Sequence, residues 1–304
     1  MVKRTLFFNN PVRLKTQLEQ LVIEYPEYDG EKPVTKTVPI EDIGVIIIDN
    51  PQVSLTAVLM QKLMANNSII ITCDDRHMPQ GCMIPFEGNT LVSERYKLQF
   101  SVSEPLKKQL WQQTIVAKIR NQAAVLECSG IDAKPLQIWA NEVLSGDSKN
   151  HEGIAAAWYF NTIFSHFITK FKRSREGDAP NNVLNYTYAI IRAMVARAIV
   201  GAGLLPALGI HHRNKYNAFC LADDIMEPFR PFADRLVLDL IKQEEDISTL
   251  TVAIKAKLIN IASVDVLING ERAPLMNAIQ RTVDSLIKCY SNEKRKLELP
   301  NLIK

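Results

Sequence analysis

GLLPALGIHHRNKYNAFCLADDIMEPFR, residues Gly203–Arg230, is the stretch on which the reading of the chain turns. Two adjacent histidines, His211 and His212, stand a short way before three carboxylates, Asp223, Asp224 and Glu227. Pro206, Gly209, Asn214 and Asn217 punctuate 207–220 as a loop or short hairpin. The run from Leu221 predicts a helix with Asp223 or Asp224 as its N-cap. Asp223 or Asp224 can share a helical face with Glu227, and Pro228 predicts a break directly after that glutamate. Two chemistries fit. Imidazole nitrogen with carboxylate oxygen suits a divalent metal acting on phosphate or water. Acidic residues at a helix start also serve simply to cap it and complement its dipole.

A second stretch, NHEGIAAAWYF at Asn150–Phe160, sets Glu152 before the small residues Ala155–Ala157 and the aromatics Trp158, Tyr159 and Phe160. Small residues permit close helix packing, and a carboxylate there is costly unless paired or bound to metal. Its bland alternative is a first-turn glutamate favouring the helix dipole. A third stretch, LNYTYAIIRA at Leu184–Ala193, offers Asn185, Tyr186 and Tyr188, either as phosphate or base contacts or as core aromatics. Arg192 and Arg230 read as ion-pair partners of the acidic cluster.

Taken together, EG-x-AAA-x-YF from Glu152, LNYTYAIIRA, and GLLPALGIHH followed by LADDIMEPFRP resemble the CRISPR adaptation integrase, a metal-dependent DNA endonuclease and integrase. The form that accompanies the single-protein RNA-guided effector nuclease, the type II branch, is the nearest match. The resemblance implies that Glu152, His212 and Glu227 are the catalytic metal ligands, for Mg²⁺ or Mn²⁺. It places Asp224 and Asp223 in supporting positions; His211, an extra histidine, and Asn185 and Tyr186 are supporting candidates on their own chemistry. It also implies double-stranded spacer and repeat DNA as substrates, a homodimer, and assembly with a small second adaptation protein. The effector nuclease is a further partner that it brings into view.

Around these stretches the texture changes once. Residues 1–92 read as a small β-rich, sandwich-like domain. Lys3–Phe8, Lys36–Ile40, Gly44–Asp49 and Ser68–Cys73 are strands, and a helix from Leu55 to Asn66 is capped by Ser54. Arg13–Glu24 alternates without deciding between strand and short helix; the family resemblance favours strands. Residues 93–304 read as a larger all-α catalytic domain, with helices over 104–128, 135–144, 152–171, 183–201, 231–244, 250–261 and 274–295. The fold class expected is therefore α+β. The β-rich domain is short for a self-sufficient core, and GVIIID and SIIITC ask to be covered, so a dimer through that domain is expected.

Composition narrows the function classes. Five scattered cysteines without a C-x-x-C fit reduced thiols better than a disulfide framework or a zinc site. The continuous apolar runs are short for a membrane span, and Asn9, Asn10 and Pro11 interrupt any signal-peptide core, so a cytoplasmic location is expected. Net charge is only +3, which makes local clusters more informative than the total. Lys170, Lys172, Arg173 and Arg175 form one cluster, and Lys288, Lys294, Arg295 and Lys296 another. Both are expected DNA contacts, against the plain alternative of a solvated face. With no phosphate-cradling glycine loop and no Ser or Cys nucleophile motif, direct attack by water or a DNA 3′-hydroxyl is expected. A small-molecule metallohydrolase and a non-catalytic DNA-binding scaffold are the rival functions.

Overall fold

Two sheets share one core at the start of the chain. A computed structural model describes residues 3–26, 34–165, 168, 171–174 and 177–303. Strands β1 (Arg4–Phe8), β2 (Val12–Gln17), β3 (Gln20–Glu24), β4 (Thr35–Pro39), β5 (Ile43–Ile48) and β6 (Val53–Leu55) are followed by helix α1 (Ala57–Ala65). Strands β7 (Ile69–Cys73) and β8 (Pro79–Met83) complete the pair of sheets. One has the order β1-β5-β7-β8 and is parallel except for β8; the other has the order β4-β3-β2-β6. The undecided segment 13–24 is a hairpin. Leu18 and Glu19 turn it with positive φ, a conformation usually announced by Asn-Gly, so local chemistry did not advertise it. Thr56, not Ser54, caps α1, accepting from Leu59 N.

The isoleucine-rich strands β5 and β7 have both faces covered within this chain. Ile46 and Ile70 face the small core with Leu14, Leu21, Leu59 and Leu63, whereas Val45, Ile47, Ile69 and Ile71 face the helical core. A sheet buried on both sides needs no polar alternation, which is why these runs are continuously β-branched. The reason for expecting a dimer from GVIIID and SIIITC therefore falls away.

The helical part contains α2 (Val92–Ser101), α3 (Glu104–Glu127), α4 (Lys134–Glu142), α5 (His151–Ile163) and α6 (Asn181–Gly201). It continues with α7 (Cys220–Met226), α8 (Arg230–Lys242), α9 (Val252–Ile259) and α10 (Leu275–Tyr290). It is not wholly α-helical. Strands β9 (Asp265–Ile268), β10 (Glu271–Pro274) and β11 (Pro300–Asn301) form a small antiparallel sheet, its hairpin turned by Asn269-Gly270. α5 also stops at Ile163, short of the expected 171. By length and apolarity α6 qualifies as a membrane span, yet 72% of its qualifying 18-residue window is buried within the helical core.

α3 runs through the middle of this part. Asn121 on it donates to the carbonyls of Pro228 and Pro300, both at 2.9 Å, and accepts from Leu302 N at 3.0 Å. The break expected at Pro228 is a 3-10 turn, Glu227–Phe229, that joins α7 to α8. Asn121 thus satisfies a carbonyl freed at the break and fixes Glu227 against α3.

Candidate active site

Glu152 lies in the first turn of α5. Asp147 receives the backbone N–H groups of His151 and Glu152, at 2.8 and 2.9 Å, and Asn150 receives that of Gly153. These satisfy orphan donors at the helix start and set the direction in which Glu152 leaves the backbone.

Glu227 comes from the 3-10 turn and is buried. Between the two carboxylates stands Lys118 of α3, a residue that the sequence reading passed over. Its Nζ is 2.5 Å from Glu152 Oε1 and 2.6 Å from Glu227 Oε2. Arg230 Nε contacts the other oxygen of Glu227 at 2.9 Å. Burial opposes each of these charges, but the partners outweigh it. Glu227 is held below its ordinary value by Arg230 and Lys118, and Lys118 is held above its own by Glu227 and Glu152.

His212 completes the group from the loop before α7. Neither Asp223 nor Asp224 caps that helix; Phe219 occupies the N-cap position without a side-chain bond. Asp224 is fully buried and clamps the loop instead. It accepts the backbone N–H of His211 at 2.9 Å and of His212 at 3.2 Å, and His212 Nδ1 lies 2.5 Å from its Oδ1. That contact raises the His212 pKa and assigns the Nδ1 proton to the carboxylate side, leaving Nε2 as the free nitrogen. Gly209 is where the loop closes on this clamp. A Cβ there would lie 2.5 Å from His212 O and 2.6 Å from Asp224 Oδ2.

The other expected residues separate. Asp223 faces away, paired with Arg192 Nε at 2.6 Å and with Asn217 Nδ2 at 2.6 Å. His211 stacks on Trp111, with ring centroids 4.1 Å apart, and burial lowers its pKa. Tyr186 is buried on the far side of α6, its ring 5.8 Å from Lys255 Nζ, outside the cavity. Tyr188, two residues on, takes the place beside the site. Its hydroxyl donates to buried Asp234, whose carboxyl desolvation pushes up to about 6. Arg173 reaches the same wall, donating to Asn185 Oδ1 at 2.6 Å and Asn181 Oδ1 at 3.0 Å, with its guanidinium 5.4 Å from the Tyr188 ring. Lys172 is exposed, and Lys170 and Arg175 lie outside the described residues.

Glu152, His212, Glu227, Lys118, Arg173 and Arg230 line one cavity of about 340 Å³. Among the described residues no three His, Cys, Asp or Glu side chains stand close enough to hold a metal as placed. The donor chemistry nevertheless fits one. Two carboxylates and an imidazole converge, and buried Glu227 Oε2 has the Lys118 charge beside it but no hydrogen bond of good geometry.

A family model described as CRISPR associated protein Cas1 matches residues 6–249. The chain belongs to the CRISPR-associated Cas1 family. It is 40% identical over its whole length to a protein of Neisseria meningitidis serogroup C named CRISPR-associated endonuclease Cas1, covering 97% of that relative. The Cas1 fold extends to solved structures of low identity. A casposase bound to integration product matches with TM-score 0.80 at 21% identity, over 97% of this chain and 92% of the other. The Cas6-RT-Cas1–Cas2 complex matches with TM-score 0.75 at 18% identity, over 100% of this chain and 36% of that one.

Proposed function

We propose that this Cas1 protein is the endonuclease and integrase of CRISPR adaptation, joining 3′-hydroxyl ends of spacer DNA to the CRISPR repeat by transesterification. The observation that carries the reading is the convergence of Glu152, His212 and Glu227 from three separate segments on one cavity. The N. meningitidis relative's name supports nuclease chemistry. Mg²⁺ or Mn²⁺ held by Glu152, Glu227 and His212 Nε2 would neutralise phosphate charge and stabilise the leaving alkoxide. The chain's own residues do the rest. Asp224 holds the His212 tautomer, Arg173 and Arg230 offer positive charge to the phosphate, and Tyr188 and Phe160 line the cavity beside them.

The test uses a labelled duplex, a plasmid bearing a repeat, the purified protein and its small adaptation partner. A 3′-hydroxyl duplex should be joined, whereas the same duplex ending in a dideoxynucleotide should not, although metal-dependent nicking continues. Joining of dideoxy ends would exclude direct attack by that hydroxyl. Turnover of a small phosphoester with none of DNA would favour the metallohydrolase, and metal-independent binding without chemistry the scaffold.

The DNA-contacting surface proposed is the basic wall around Lys172 and Arg173, with Lys170 and Arg175 included as their neighbours in sequence, and with Lys294, Arg295 and Lys296 as a second area. In support, the latter three line a groove of about 550 Å³ with Arg120. Changing Lys172 and Arg173 to Ala should weaken duplex binding and reduce the slope of log affinity against log salt by about 1 to 2. An unchanged slope would make the segment a solvated face.

A Cas2-type partner is proposed because the matching complex contains one. The homodimer and the effector nuclease rest on the type II resemblance alone; light scattering and co-purification decide them. We propose also a division near residue 92. The separate core around Leu14, Leu21, Leu59 and Leu63 supports it, although the shared face of β5 and β7 predicts that the two parts unfold together. A cytoplasmic location accompanies this function; fractionated cells would test it.

A further inference from the structure

The position of Lys118 has no counterpart among the expected ligands, yet it is the most enclosed cation among the described residues that line the cavity. Its side chain is 7% exposed, and its Nζ contacts one oxygen of each metal-binding carboxylate at 2.5 and 2.6 Å. A dication held by those carboxylates would meet the ammonium at close range, and like charges in a buried site repel strongly. Arg230 already faces Glu227 from the other side, and Arg173 lines the same wall. With both arginines and Lys118 charged, adding a dication leaves this end of the cavity with excess positive charge. The Asp234 carboxylate on the same wall offsets one unit of it, and an incoming anion, such as the phosphate of a DNA strand, offsets more.

We propose that Lys118 is a built-in counter-cation. It holds Glu152 and Glu227 together in the DNA-free protein, opposes metal binding there, and moves toward the phosphate when DNA arrives. Metal occupancy is thereby coupled to DNA occupancy, because the same phosphate that takes up Lys118 relieves the repulsion on the metal. Lys118 is a positioning residue by this account, and metal and DNA bind with positive cooperativity. The proposal rests on the metal-site reading above.

The probe is Mn²⁺ alone, its binding to the full-length protein followed by the free-ion paramagnetic resonance signal, with and without a short duplex. For wild type, Mn²⁺ should bind weakly without DNA and at least about tenfold more tightly with it. Lys118→Met should bind Mn²⁺ at least about tenfold more tightly than wild type without DNA, and should lose most of the DNA effect. Its melting temperature should fall in chelator and recover with Mn²⁺, because two carboxylates then face each other without the ammonium between them. Lys118→Gln, which keeps a donor for both carboxylates but no charge, should behave like Lys118→Met if the latter proves too unstable to purify. Equal or weaker Mn²⁺ binding by both variants would overturn the role given to Lys118 while leaving the metal site standing. No Mn²⁺ binding by wild type or variants, even with duplex, would instead overturn the metal site itself. A merely structural lysine would lower metal affinity when removed, so the expected rise separates the two roles.

Discussion

His212→Ala should reduce strand transfer by at least about a hundred- to a thousandfold and leave the fold in place. The imidazole supplies the single nitrogen of the proposed ligand set, and no neighbour can substitute for it. His211 is stacked on Trp111, and its position is fixed by that contact and by its backbone bond to Asp224. The structural cost is small for a specific reason. His212 is 46% exposed at the side chain, and its loop is held by backbone N–H groups rather than by the ring. Removing the ring takes one of three hydrogen bonds from Asp224, a loss of about 1 kcal/mol. DNA affinity should also persist, because the basic side chains proposed to meet phosphate are untouched. Integration of a labelled duplex into a repeat-bearing plasmid, alongside a thermal melt and a filter-binding titration, checks all three. Integration at the wild-type rate would remove His212 from the mechanism.

The parts of this site differed in how openly the sequence displayed them, and the difference is physical. His212 and Glu227 sit in a short segment where turn residues, paired histidines and clustered carboxylates are unusual together, so the pattern stood out. Asp223 and Asp224 could not be told apart by spacing, since both can share a face with Glu227 in an ideal helix. The 3-10 turn at Pro228 and the Gly209 loop decided between them, burying Asp224 under the histidines and turning Asp223 to Arg192. Lys118 was hidden by a different effect. Thr114, Lys118, Asn121 and Gln122 follow helical spacing and resemble the solvent stripe of an amphipathic helix, yet all four are buried. The stripe faces the cavity, the Pro228 break and the C-terminal strand, none of which is local to α3. Tyr186 and Tyr188 show how sensitive such readings are to helical phase: two residues of rotation put one against Lys255 and the other against Asp234. At the level of the fold, the Asn269-Gly270 hairpin was legible in principle. The helical texture around it concealed the short β9 and β10 strands.

Glu227→Ala should cost far more stability than Glu152→Ala, although the two should lose strand transfer alike. Glu227 is buried between two cations, Lys118 and Arg230, and its removal leaves Arg230 without its carboxylate and Lys118 with one of its two. Breaking one member of a buried charge set typically costs about 3–5 kcal/mol, because the remaining charge is neither solvated nor paired. Lys118 would keep Glu152, but Arg230 would retain only the Tyr188 ring at 4.9 Å and charges farther away. Glu152 differs in its surroundings. It is 31% exposed, water screens its charge, and its loss leaves Lys118 still paired with Glu227, so about 1 kcal/mol or less is expected. The same reasoning fixes the sign of the double variant. Lys118→Met with Glu227→Gln removes one charge of each sign, leaves Arg230 beside a neutral acceptor, and should recover part of the stability that either change loses alone. It should recover no strand transfer, since the ligand is gone. Urea unfolding of Glu152→Ala, Glu227→Ala, Lys118→Met, Glu227→Gln and the double variant beside wild type gives the comparison directly. Equal stability of Glu227→Ala and Glu152→Ala would mean that the Lys118–Glu227–Arg230 contacts contribute nothing net, and the coupling argued for this corner of the site would go with them.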